Sequence, residues 1–268
     1  MKTTTTAMLL ALLLCAACDE SKTDKPAAPS ATASAAAVPA VPTTPPAPPP
    51  PPVPTIKKKL ATECKPHSAT VDFTDQPDLE KEVRKKLGKD GGGITPGELA
   101  QIKSINLANN VKVHQIDPCI FPMFTSLKDL FLGSGEYDDL TPIQKLTTIE
   151  SLRISFSVVK DLRPIEGLKR MDRLDISHTL VGDDEFKSVA SFGNLTELML
   201  DETNISDLTP VANLKKLERI SIKKTRVTSL APLSQLKSLK YVYIADTPIT
   251  DITPIQPLMA GGTKLVSN

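Results

Sequence analysis

The sequence predicts an α/β solenoid: a coil of short units with a parallel β-sheet on its concave face, short helical turns on its convex side and a helical N-terminal cap. Three observations carry this. Apolar markers at Leu127, Ile149, Met171, Leu195, Leu217 and Leu239 recur at steps of 22, 22, 24, 22 and 22 residues, which is the signature of a repeat array. Each unit repeats one apolar pattern, written at Leu195, Leu198, Leu200, Ile205, Leu208, Val211 and Leu214 and again at Leu217, Ile220, Ile222, Val227, Leu230, Leu233 and Leu236. Between these stand a small hydroxyl (Ser157, Thr179, Thr203, Thr225, Thr247) and a proline (Pro142, Pro164, Pro210, Pro232, Pro254), each at a fixed place.

The spacing gives each element its form. Apolar residues at the fourth and sixth places alternate with polar ones, the period of a short strand with one face inward. The hydroxyl follows where the chain turns away and inward-facing backbone groups need a partner. The proline then opens a short helical turn, where its missing N–H costs nothing. One unit alone could not bury its leucines, whereas stacked copies share a continuous apolar spine. Asp183, Asp184, Glu185 and Phe186 replace the proline turn in one unit and add two residues, so a fuller helix is expected there.

This pattern resembles the short 22-residue form of the bacterial leucine-rich repeat, with its proline-led convex turn, as in internalin-like proteins. The resemblance spans residues 71–258. It implies a protein-binding fold, and host adhesion is the role internalins suggest; no catalysis or cofactor is expected, because no constellation of nucleophile, base and orienter can be assembled from the sequence.

Taken in order, residues 1–17 carry one positive charge at Lys2 and an apolar run from Ala7 to Ala17, and read as a secretory signal. Ala16, Ala17 and Cys18 resemble the end of a bacterial lipobox, although Cys15 stands where leucine is usual. The resemblance implies that Cys18 is lipidated and heads the mature chain; plain cleavage after Ala17 is the alternative. Asp19 and Glu20 look like an inner-membrane retention signal of enteric bacteria, a rule that not all bacteria share, so both membranes stay open. Residues 18–63 are the lipidated cysteine and a linker of Pro, Ala, Thr and Ser with too few large apolar side chains to form a core. In polyproline geometry roughly 30 residues at about 3 Å each give a reach on the order of 90 Å. Lys57, Lys58 and Lys59 close it as a solvated charge run.

Residues 64–101 are expected to cap the solenoid, whose first strand would otherwise expose its apolar face. Pro77 starts a helix with Leu79, Val83 and Leu87 on one stripe and Gly88 at its end. Thr95, Pro96 and Glu98 form a capping-box start for a second. Ile102, Ile105 and Leu107 open the repeat domain, 102–268, of about seven units. Beyond Ile255, either Leu258, Leu265 and Val266 fold over the last unit or another chain covers it.

Of four cysteines, Cys64 and Cys119 remain as a pair in an exported, oxidising compartment, and a disulfide is expected. The alternative is a zinc site of Cys64, His67, His114 and Cys119. Those two histidines and His178 are the only ones, and no HExxH or GxSxG pattern accompanies them. Gly91, Gly92 and Gly93, like Gly133 and Gly135, read as turns. The formal net charge is +1, and loss of Lys2 with the signal leaves 0. That gives no ground for nucleic-acid binding. No later apolar run is long enough to span a bilayer.

What the repeat offers is a surface, because strand residues alternating with the core leucines face the concave side. Four of the ten aromatics fall there. Phe131, Arg153, Phe156 and Arg173 are expected to form one anchor cluster, and Tyr241 with Tyr243 another. Between them lie an acidic strip, Glu197, Asp201 and Glu202, and a basic one, Arg219, Lys223 and Lys224. Aromatics with arginine are the usual anchors of an interface; the alternative is that the charges pair across strands and the aromatics fill the groove. Two readings follow. One is a monomeric, lipid-anchored envelope protein, periplasmic or surface-exposed, that binds another protein through its concave sheet. The other is a periplasmic scaffold that holds or inhibits an envelope partner.

Overall fold

The computed structural model describes residues 60–64, 69–108 and 112–267, all within one compact unit, Pro54–Asn268. The signal, Cys18, nearly all of the linker and His67 lie outside the described residues.

Eight strands of three residues each form one parallel sheet in chain order: β1 (Ser104–Asn106), β2 (Asp129–Phe131), β3 (Ser151–Arg153), β4 (Arg173–Asp175), β5 (Glu197–Met199), β6 (Arg219–Ser221), β7 (Tyr241–Tyr243) and β8 (Lys264–Val266). The recurring strand place sets the register, and the two extra residues of the longer unit lie outside the strands, so that Leu130, Leu152, Leu174, Leu198, Ile220 and Val242 pair rung to rung. All six are at most 1% exposed, and burying each such side chain contributes about 1.5–3 kcal/mol.

The hydroxyl column does what its position requires. Ser157, Thr179, Thr203, Thr225 and Thr247 each donate to the carbonyl three residues earlier, at 2.6–2.7 Å. Five repeated prolines are the second residues of 3-10 turns, Thr141–Ile143, Arg163–Ile165, Thr209–Val211, Ala231–Leu233 and Thr253–Ile255. In the longer unit, α-helical Asp183–Phe186 runs into a 3-10 segment, Lys187–Ser191, as its extra residues allow.

At the N-terminal end α1 (Pro77–Leu87) buries Leu79 and Val83, packs on β1 and stops at Gly88 in the left-handed region, φ 64°. In α2 (Pro96–Leu99), Glu98 N–H donates to Thr95 Oγ1 at 3.3 Å and Thr95 N–H donates to Glu98 Oε2 at 2.9 Å, the expected capping box. Helix α3 is Asp183–Phe186. A Cys64–Cys119 disulfide, Cα atoms 5.4 Å apart, ties the start of this region to the loop before β2. Bonded to each other, those sulfurs are not thiolate ligands, which removes the zinc alternative.

The sheet has one strand more than the seven units read from the sequence. Beyond Ile255 the chain forms α4 (Gln256–Ala260) and then β8, which pairs with β7 through Val242 and Leu265. Leu258 and Leu265 therefore fold over the last unit, the first of the two alternatives. No helix among the described residues is long and apolar enough to cross a membrane.

Candidate protein-binding surface

Two rows of side chains run across the strands on the concave face. One contains Asp129, Ser151, Arg173, Glu197, Arg219, Tyr241 and Lys264; the other contains Asn106, Phe131, Arg153, Asp175, Met199, Ser221 and Tyr243. Both follow from strand alternation; the first alternates charge sign through Asp129, Arg173, Glu197 and Arg219, and the second sets Arg153 beside Asp175 between uncharged residues.

Between β1 and β5 these rows wall a cleft of about 450 Å³, lined by Asp129, Phe131, Arg153, Arg173, Asp175, Glu197 and Met199 among others. The Arg153 guanidinium lies 5.2 Å over the Phe131 ring, and its Nε is 3.1 Å from Asp175 Oδ2. Ring and carboxylate hold a side chain that is still 47% exposed; the cation–π part contributes about 0.5–1 kcal/mol. Arg173 is held more loosely, its Nε 3.7 Å from Asp172. Such exposed pairs are worth about 0–1 kcal/mol, so an incoming carboxylate can replace them at small cost.

The second expected cluster also forms. Tyr241 and Tyr243 stack with centroids 6.3 Å apart, Arg219 lies 5.1 Å over Tyr241, and Lys264 lies 5.8 Å from the same ring. Lys264 was missed because β8 carries no copy of the repeat. Between the clusters, the acidic and basic strips pair across neighbouring strands: Glu197 with Arg219 at 3.7 Å, Asp201 with Lys223 at 3.0 Å, Glu202 with Lys224 at 2.7 Å. The pairing alternative holds for these strips, whereas the aromatics leave the cleft unfilled. Hydrogen bonding to Lys224 holds the Glu202 carboxyl below its usual range.

Phe156 is not among the residues lining the cleft. It follows β3 at the eighth place of its unit, where Phe156, His178, Glu202, Lys224 and Asp246 all have positive φ, between 53° and 60°. This left-handed turn carries the side chain off the sheet to the rim of the coil. There the Phe156 ring stacks on His178, centroids 4.0 Å apart, and His178 Nδ1 lies 3.2 Å from Glu202. The cluster expected from the sequence is thus split: Phe131, Arg153 and Arg173 share the cleft, and Phe156 belongs to the rim.

No group of three or more His, Cys, Asp or Glu able to hold a metal occurs among the described residues. Comparison of the sequence with protein-family models and with curated proteins finds no match. Among solved structures, internalin C2 of Listeria monocytogenes is similar at 23% identity and a TM-score of 0.58, over 72% of this chain and 93% of that one. The internalin InlF of the same species is similar at 24% identity and 0.58, over 71% and 62%. A leucine-rich repeat protein of Leptospira interrogans gives 19% identity and 0.50, over 63% and 49%. With eight parallel strands in one open sheet, the chain has the fold of a leucine-rich repeat solenoid.

Proposed function

We propose that the chain is a non-catalytic, cofactor-free envelope protein that binds another protein through its concave sheet. Lipid on Cys18 holds it to a membrane after removal of residues 1–17. The linker 18–63 gives reach, the cap 64–101 closes the coil, and the domain 102–268 makes the contact. The observation that carries this reading is the cleft at β1–β5, where Phe131, Arg153 and Arg173 meet Asp129, Asp175 and Glu197. It combines an aromatic, exchangeable ion pairs and incomplete filling, the composition of an interface anchor. Tyr241 and Tyr243 provide a second contact at the far end, with Glu197, Asp201, Arg219 and Lys223 setting charge register between them.

Affinity purification from envelope extracts tests the contact. Wild type is expected to retain a defined protein that Arg153→Glu combined with Phe131→Ala loses while melting unchanged. Retention of the same partner by that variant would remove the concave cleft from the account. Radiolabelled palmitate tests the anchor: label is expected in the wild-type chain and absent from Cys18→Ala.

A further inference from the structure

Apart from Leu60, every large apolar side chain that the described residues expose lies in one patch on the rim: Phe156, Val158 and Leu180, at 57%, 39% and 52%. Phe156 and Val158 occupy the eighth and tenth places of one unit, and His178 and Leu180 the same places of the next, 22 residues on. The Leu180 N–H donates to the Val159 carbonyl at 2.9 Å, which holds the two loops in register. The Phe156–His178 stack joins the eighth places of the two units, and Val158 and Leu180 stand at the tenth places beside it. None of them lines the concave cleft.

The backbone gives an independent sign. The coil imposes a left-handed turn at this place in five successive units, and in three of them the residue is charged. A bulky aromatic in that conformation is strained where glycine or asparagine would not be. At Phe156 an exposed ring is therefore kept against a local conformational cost.

Charge indicates what the patch would receive. Three residues further along these loops runs a column of aspartates, Asp139, Asp161, Asp183, Asp207 and Asp251, broken by Ser229. Asp139 accepts from Thr141, Asp183 from Ser206 and Asp207 from Thr209, through backbone N–H and hydroxyl groups. Asp161, in Phe156's own unit, is paired with Arg163 at 2.7 Å; Asp139, Asp183 and Asp207 on either side of it keep their charge, their oxygens held by N–H and hydroxyl groups instead.

We infer that the rim docks a segment of another protein carrying a large apolar side chain flanked by lysine or arginine. The apolar group seats on Phe156, Val158 and Leu180, and the cations face the aspartate column. This surface goes beyond the concave contact and can be separated from it. An anionic bilayer is disfavoured, because the aspartates would repel it.

The test uses the full chain in detergent with two synthetic amphipathic peptides of equal apolar content, one of leucine and lysine, the other of leucine and glutamate, titrated by fluorescence anisotropy. The lysine peptide is expected to bind, and the glutamate peptide not to. Leu180→Ser and Phe156→Asn should each weaken binding at least tenfold, while Arg153→Glu leaves it unchanged. Because asparagine tolerates the left-handed turn, Phe156→Asn should melt no lower than wild type. Equal binding of both peptides, or undiminished affinity in the two rim variants, would overturn the inference. So would self-association of the chain in sedimentation that Leu180→Ser abolishes, since the patch would then be a contact between copies.

Discussion

Five successive rungs turn from strand to loop on a single hydroxyl. Thr225 Oγ1 lies 2.6 Å from the Ile222 carbonyl and is 4% exposed, out of reach of water that could take its place. Thr225→Val keeps the shape and leaves a buried carbonyl without this donor, at a cost of about 1–3 kcal/mol. Thr225→Ser should lose much less. Urea denaturation of the two variants checks this, and equal losses would mean that the methyl group matters rather than the bond. Glu98 shows the same economy at the cap: hydrogen bonding to Lys89 first, and then to the Thr95 N–H, holds its carboxyl down to about 2. A folded-state value below the unfolded one means that this stabilisation is present above about pH 4.5 and is lost as pH falls towards 2. Melting temperatures recorded across that window should fall in wild type and flatten in Glu98→Gln. An identical slope in both would place the acid sensitivity elsewhere.

At the scale of elements, the repeats hold one another, and the N-terminal region needs help. The disulfide closes a loop of 55 residues, worth about 4 kcal/mol in the chain-entropy account. Beside it Asp117, 1% exposed, accepts from the Cys119 and Ile120 N–H groups and so fixes the approach to the 3-10 turn Phe121–Met123. Replacing both Cys64 and Cys119 by serine should lower stability by about that amount. Faster amide exchange should be confined to the cap and to the loop before β2; loosening of β5–β7 as well would show the cap to be coupled to the whole coil. These elements differed in how far they could be read in advance. Rungs from Leu127 to Leu239 were legible because a period is arithmetic and burial follows from it. Strand β8 was not: Gly261 and Gly262 interrupt the pattern, and Thr263 ties the segment to the preceding rung by donating to the Leu239 carbonyl at 2.6 Å, as Thr148 does to Leu127. The bridge between Val113 and Gly135 was equally hidden, since no period in the sequence signals that a Cβ on Gly135 would collide with the Val113 carbonyl oxygen. Alternation placed Phe131, Arg153 and Arg173 correctly on the concave face. It misplaced Phe156 because alternation assigns a face only while the chain stays extended, and the left-handed turn ends that.

For the whole molecule, stability is the sum of neighbouring contacts along one axis, so the ends decide what the middle can keep. Central core positions such as Leu174 and Leu198 have a rung on both sides and are 1% or less exposed, whereas Leu239 and Ile244 in the last full unit reach 4% and 7%. That unit relies on α4 and β8, which bring Leu258, Met259 and Leu265 against it. A chain stopped after Ile255 would strip these side chains away and leave the β7 backbone facing water. Partial exposure of several core residues at about 1.5–3 kcal/mol for each full burial implies a loss on the order of 3–5 kcal/mol. The bared edge also favours association. The truncated protein should therefore unfold at lower urea and scatter light as its concentration rises. Exchange protection should drop in β6 and β7 yet persist in β2–β4, because those rungs keep both neighbours. A uniform drop across all strands would instead identify the coil as a single cooperative block, with the C-terminal strand serving as a latch for rungs it does not touch.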